Sequence, residues 1–158
     1  MGKRLYYLIC MIACIVYTIQ SCNNSDSHAT AQRAIPDTVS YNFDIRPILS
    51  DKCYACHGPD ANKREAGLRL DIAENAYKAL KENPKAHALV PGKPHLSEVF
   101  LRISSQDTSV MMPPPSSNLK LSVHEINLIE KWIKQGAKYE KHWAFVAPKK
   151  PLIPEVKN

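Results

Sequence analysis

Cys53-Tyr54-Ala55-Cys56-His57 sets two thiols three positions apart and places an imidazole directly after the second. This is the Cys-x-x-Cys-His spacing of c-type haem attachment. Two thiols so spaced reach the two vinyl groups of one porphyrin, and the next residue then holds an imidazole against the iron. Cys53 and Cys56 are therefore expected to carry haem c covalently, with His57 as proximal ligand. Three other chemistries fit part of the pattern. A thioredoxin-like pair needs a preceding strand in an α/β pattern, whereas the residues before Cys53 read as helical. A zinc site needs a fourth ligand and usually a second paired cluster, yet no cysteine follows Cys56. A structural disulfide leaves His57 without a purpose, although an exported chain can form one.

An iron held by one imidazole takes either a second protein ligand, which favours electron transfer, or an open face, which favours gas binding or peroxidase work. Val110-Met111-Met112-Pro113-Pro114-Pro115 is the candidate for the former. Prolines stiffen an extended loop at little entropic cost, so a thioether there can be presented to the opposite porphyrin face. Met111 or Met112 can equally fill an apolar gap. His87, His95, His124 and His142 are further ligands in principle, each with a simpler reading as a surface or terminal residue.

The elements that must position these groups read as short helices. Ile45, Ile48, Leu49 and Cys53 share one helical face over Asp44 to Lys52, with Asp44 as expected N-cap and Pro47 in the first turn. Gly58-Pro59 ends any continuation past His57. Asp71 to Leu80 and Leu96 to Ser104 are two further expected helices, the second offering Val99, Phe100 and Ile103 to a core. The strongest signal is Ser122 to Gln135. Ser122 and Glu125 make a capping box, Ile126, Ile129, Trp132 and Ile133 make an apolar face, and Gly136 supplies the stop. Trp132 is read as a packing residue rather than an electron conduit. No run alternates as a strand does, so the expected fold is all-α, several short helices around one covalently attached haem.

Ahead of this lies an address. Lys3 and Arg4 precede an apolar run from Leu5 to Ile19, of signal-peptide rather than membrane-spanning length. Ile19-Gln20-Ser21-Cys22 resembles a bacterial lipobox, so Cys22 is the expected lipidation site. The expected organisation is a signal peptide over 1–21, a polar tether over 22–40, the haem domain over 41–147 and a proline-rich linker over 148–158. Cys10, Cys14 and Cys22 fall in the apolar leader region, which leaves Cys53 and Cys56 to the folded part.

Composition narrows the function further. At 158 residues the chain can bury one core, and 44% apolar with 23% charged residues is ordinary for a globular domain. Removing Lys3 and Arg4 with the leader lowers the formal charge from +6 to about +4. The basic residues are scattered rather than striped, which argues against nucleic-acid binding and suits steering toward an acidic protein partner. No serine, histidine and carboxylate set, paired-acid signature or phosphate loop supports independent catalysis.

Beyond the haem motif, six stretches resemble the planctomycete-type cytochrome c domain. They are Asp44-Ile45-Arg46-Pro47-Ile48-Leu49-Ser50, the run Cys53 to Asp60, Ala66-Gly67-Leu68-Arg69-Leu70-Asp71, Met112-Pro113-Pro114, Trp132 to Ala137, and His142-Trp143-Ala144-Phe145. The resemblance spans about Tyr41 to Pro154. It implies a class I-like cytochrome fold and an electron-transfer or haem-binding role. In that family one methionine directly precedes the Pro-Pro pair, which selects Met112 over Met111 as the sixth ligand. It also makes Arg69 a candidate partner for a haem propionate, since a guanidinium can hold a carboxylate with two hydrogen bonds. Family members typically continue into large domains, whereas this sequence stops at Asn158. The expected function is an exported electron-transfer module on the periplasmic side, held to a membrane by lipid. It would serve a redox protein partner such as a larger exported enzyme. The alternatives are a haem subunit or leading fragment of a degradative enzyme, and a haem-based sensor whose Met112 yields to a small ligand.

Overall fold

The computed structural model describes residues 34–145 and 147, together with Gly2, Lys3, Tyr7 and Met11. The chain divides into Met1–Ala34 and Ile35–Asn158. Apart from those four residues the expected leader lies outside the described residues, as do Cys22, the tether as far as residue 33 and the linker from Pro148 onward. Among the described residues no helix is long and apolar enough to cross a membrane.

The second unit is helical, as the sequence predicts, with no strand among the described residues. A π-helical turn, Tyr41–Ile45, runs directly into α1, Arg46–Lys52. Then come α2 (Tyr54–His57), α3 (Ala73–Tyr77), α4 (Glu98–Ile103) and α5 (Val123–Lys134), with short 3₁₀ turns at Pro94–Leu96, Pro115–Ser117 and Trp143–Phe145. Two isolated bridges, Ala79 with His87 and His87 with Ser97, hold the long connection between α3 and α4.

The first helix starts earlier than Asp44, because Asp44 is used differently. Its carboxylate accepts from the Ser40 N–H at 2.7 Å, while the Ser40 hydroxyl accepts from the Phe43 N–H at 3.4 Å. Ser40 is thus the cap, reciprocated from inside the helix. The structured unit also reaches back into the expected tether. Val39 is buried, its N–H donates to Gln135 Oε1 at 2.9 Å, and Gln135 Nε2 donates to the Asp37 carbonyl at 2.6 Å. One apolar residue and a glutamine from the far end of the chain pull the polar stretch onto the domain.

α5 carries the centre of the core. Leu128, Ile129, Trp132 and Ile133 are buried on one face, with Ile126 half-buried beside them. This face packs on the Tyr41–Ile45 turn and on α4. The expected capping box is present, Ser122 Oγ accepting from Glu125 N at 3.2 Å and Glu125 Oε2 from Ser122 N at 2.6 Å. At the other end Gly136 turns left-handed at φ +103°, and the Ala137 N–H reaches back to the Trp132 carbonyl at 2.9 Å.

Candidate haem site

Cys53 closes α1, its N–H bonding the Leu49 carbonyl at 2.9 Å, and the motif then makes one more turn of helix. Cys53 is half-buried against the core and Cys56 is exposed; both are free thiols. Burial pushes the Cys53 thiol up to about 12, with Cys56 adding to it. A redox-active or metal-binding cysteine is served by a lowered value, because the thiolate is the reactive form. Cys53 is instead a neutral thiol. Among the described residues no group of three His, Cys, Asp or Glu side chains could hold a metal ion. The burial of Cys53 does not favour the thiolate that thioredoxin or zinc chemistry would use.

His57 is half-buried, and its Nδ1 is buried without a hydrogen-bond partner. Burial lowers its pKa, the Glu65 main chain and carboxylate lean the other way, and Arg102 lowers it further. The result is a neutral imidazole, the form that ligates a metal, with a ring nitrogen not spent on the protein. Two thiols free of a disulfide, followed by such an imidazole, fit covalent haem attachment with iron ligation.

The loop after the motif is fastened back onto it. Gly58 is required by close approach: a Cβ there would stand 2.3 Å from the Tyr54 carbonyl oxygen. Arg64 donates to the carbonyls of Gly58 and Pro59, at 3.1 and 2.8 Å. Glu65 N–H then bonds the Cys56 carbonyl and Leu70 N–H the His57 carbonyl, each at 2.8 Å. The otherwise orphaned carbonyls of the motif turn are satisfied by residues up to thirteen positions away.

The motif is also tied to the core through tyrosines. The hydroxyls of Tyr54 and Tyr41 are 3.1 Å apart, and Tyr41 stacks on Tyr139 with ring centroids 4.6 Å apart. Trp132 meets Tyr41 at 5.8 Å and Tyr139 at 5.4 Å, and its indole N–H donates to the Lys138 carbonyl at 3.0 Å. Tyr139 in turn donates to the Leu70 carbonyl at 2.8 Å, so a single residue, Leu70, links the aromatic cluster to His57. Trp132 is the packing residue the sequence suggests.

Met112 is half-buried in a loop fixed by main-chain bonds. Met111 N–H donates to the Asp107 carbonyl at 2.8 Å, and Met112 N–H to the Arg102 carbonyl at 3.1 Å. Arg102 is also the cation that acts on His57, so the loop is anchored on the helix that bears on the motif histidine. The Met112–Pro113 peptide is cis. Arg69 does not stand free. Its Nε donates to Asp71 Oδ1 at 3.0 Å and its Nη2 to Asp71 Oδ2, which occupies one edge of the guanidinium. His95 is exposed, while His87, His124 and His142 are half-buried. Two cavities, of about 150 and 280 Å³, are lined by none of Cys53, Cys56, His57 or Met112.

The family model for planctomycete cytochrome C matches residues 53–116, from the first motif cysteine to just beyond Met112-Pro113-Pro114. That match supports a planctomycete-type cytochrome c domain over this stretch. No curated protein and no solved structure gives a match. A cytochrome c domain implies a covalently bound haem, and it points to electron transfer rather than to catalysis by this chain. Sequence reasoning passed over Arg64, Arg102 and the Tyr41, Tyr54 and Tyr139 cluster in this domain. Only Tyr54 carried a local signal, its place between the two cysteines.

Proposed function

We propose that the chain is an exported, membrane-anchored electron carrier whose haem iron is held between His57 and Met112. The observation that carries this reading is the buried Nδ1 of His57, which has no hydrogen-bond partner, directly after the two free thiols of Cys53 and Cys56. Haem, when bound through Cys53 and Cys56, supplies a one-electron couple at its iron. The residues of this chain do the rest. The neutral His57 imidazole offers a lone pair, and Met112 offers a thioether, which favours a higher potential than two nitrogen ligands. The loop closed by Arg64, Glu65 and Leu70 fixes the motif turn. Cys22 would carry the lipid and the residues after it the tether, on the strength of Ser21-Cys22 following an apolar run. Scattered lysines would steer an acidic redox protein partner.

The test is a pair of variants in protein made by a host with haem-attachment machinery. Wild type should keep its haem after denaturation and acid-acetone extraction, and show the weak far-red absorption of methionine-bound ferric haem. Met112→Ala should lose that band, lower the potential and open the iron to cyanide, while Met111→Ala should leave all three nearly unchanged. If the two variants exchange phenotypes, Met111 is the ligand; if neither changes the spectrum, the carrier reading yields to a ligand-binding one. Cys22→Ala should move the protein out of the membrane fraction, and an unmodified mature N-terminus elsewhere would remove the lipid anchor.

A further inference from the structure

Arg46, the first residue of α1, is half-buried, yet among the described residues its guanidinium makes no hydrogen bond or ion pair. A cation so placed has given up part of its water and has five fixed donors unspent. It lines a cavity of about 280 Å³ together with Tyr41, Tyr54, Asp71, Glu140 and His142. The two carboxylates there are already engaged. Asp71 is paired with Arg69, which stands outside the lining. Glu140 Oε2 accepts from Asn42 Nδ2 at 3.0 Å and from Ser40 Oγ at 3.4 Å, while its Oε1 makes no hydrogen bond among the described residues. Asn42 is 8% exposed and also donates to the Lys141 carbonyl at 2.7 Å, so the wall bearing Glu140 is fixed in place. The Tyr41 and Tyr54 hydroxyls share one hydrogen bond at 3.1 Å, which leaves one of their two protons to donate elsewhere.

We propose that this cavity binds a small hydroxylated carboxylate, with the carboxylate on Arg46 and the hydroxyls on Glu140 Oε1 and the tyrosine pair. The charge follows from what is left unpaired. Arg46 is the cation of the lining with no protein partner, and a guanidinium holds a carboxylate through two parallel N–H bonds. The hydroxyls follow from Glu140. A bare carboxylate would leave that acceptor unmatched beside a like charge, and a neutral polyol would leave Arg46 without its counter-ion. At about 280 Å³ the cavity lies just under the ~300 Å³ at which ligand pockets ordinarily begin, so the occupant is compact. Tyr54 stands between the two motif cysteines, but none of Cys53, Cys56, His57 and Met112 lines the cavity. The inference therefore does not depend on which residues ligate the iron.

Isothermal titration calorimetry on protein purified from a host with haem-attachment machinery tests this with three probes. Gluconate carries both a carboxylate and hydroxyls, whereas acetate and glucose carry one kind each. Gluconate should bind saturably at one site, with acetate and glucose each weaker by about tenfold or more. Arg46→Gln should weaken gluconate by about ten- to a hundredfold while the circular dichroism spectrum stays that of wild type. Arg46→Lys should recover part of the affinity, since the charge returns without the fork. The proposal is overturned if gluconate does not bind, if acetate or glucose binds as tightly, or if Arg46→Gln leaves the gluconate affinity unchanged. Binding to haem-free protein that vanishes once haem is attached also overturns it, because Arg46 would then face a haem carboxylate. Should Arg46→Gln not accumulate, Arg46→Lys decides, and an unchanged gluconate affinity there overturns the proposal.

Discussion

Where the Tyr41–Ile45 turn crosses α5, Ile45, Leu49, Ile129, Trp132 and Ile133 are each at most 2% exposed, whereas from Ser104 to Leu121 not one residue is buried. The first region is held by apolar area removed from water, a non-directional and additive force. The second is held by individual hydrogen bonds, Met112 to Arg102, Met111 to Asp107 and Ser117 to Pro114. Each of those contributes only about 0.5–1.5 kcal/mol net. The motif turn lies between the two in character, with none of Cys53, Cys56 and His57 fully buried but each main chain bonded. The difference teaches that the helix crossing is a rigid base. The ligand-bearing loop, by contrast, is positioned from its ends.

The sharpest way to break this comparison is at the base. Trp132→Ala removes a side chain in contact with Tyr41 and Tyr139 and leaves the Lys138 carbonyl without its donor. It should cost about 3–5 kcal/mol in urea denaturation, the range for large aromatic truncations in a core. A cost below 1 kcal/mol would mean that the crossing is not what holds the domain. A second, smaller effect is expected at the motif. Gly58→Ala forces a Cβ into backbone at 2.3 Å, so the turn between Tyr54 and Pro59 must shift. We expect a loss of about 1–3 kcal/mol, as for other overpacked sites, with a lower fraction of chain carrying covalent haem. Unchanged haem loading would show that the motif turn tolerates displacement and is less fixed than its bonding suggests.

The parts of this molecule visible in the sequence are those in which cause and effect lie close along the chain. The Cys53 to His57 spacing, the Ser122 and Glu125 box and the Gly136 stop are local, and each stands where the residue types put it. The helix expected from Asp71 to Leu80 is shorter, Ala73–Tyr77, because non-local pairing outweighs propensity there. Ala79 bridges His87, and Leu80 N–H bonds the Ala86 carbonyl. Asp44 was plausible as a cap, but only the fold shows that its carboxylate reaches back to Ser40. Arg69 illustrates the limit for the site. Its residue type suits a carboxylate partner, and only the fold shows that Asp71, two positions on, takes one edge of its guanidinium. Arg102 gave no signal because its relevance comes from Met112 and His57, which lie ten positions after it and forty-five before it.

The smallest predicted effect lies in the loop after the motif turn, in the Arg69 and Asp71 pair. Arg69 beside it holds the Asp71 carboxyl below the usual carboxylate range, against a partial opposing effect of burial. For a group whose folded value is depressed, the stabilisation is present above the unfolded value, about 3.9 for aspartate, and is lost as pH falls through the folded one. The partner's own shift is upward and lies far above this window, so only Asp71 titrates in it. Asp71→Asn should therefore melt below wild type at neutral pH, and the gap should close on acidification to below about pH 4. Melting followed by circular dichroism at several pH values reads this directly. A gap that stays constant with pH would mean that the asparagine disturbs packing rather than removing a charge. A gap that widens in acid would contradict the downward shift itself, and with it the view that Arg69 is committed to Asp71 rather than free for another carboxylate.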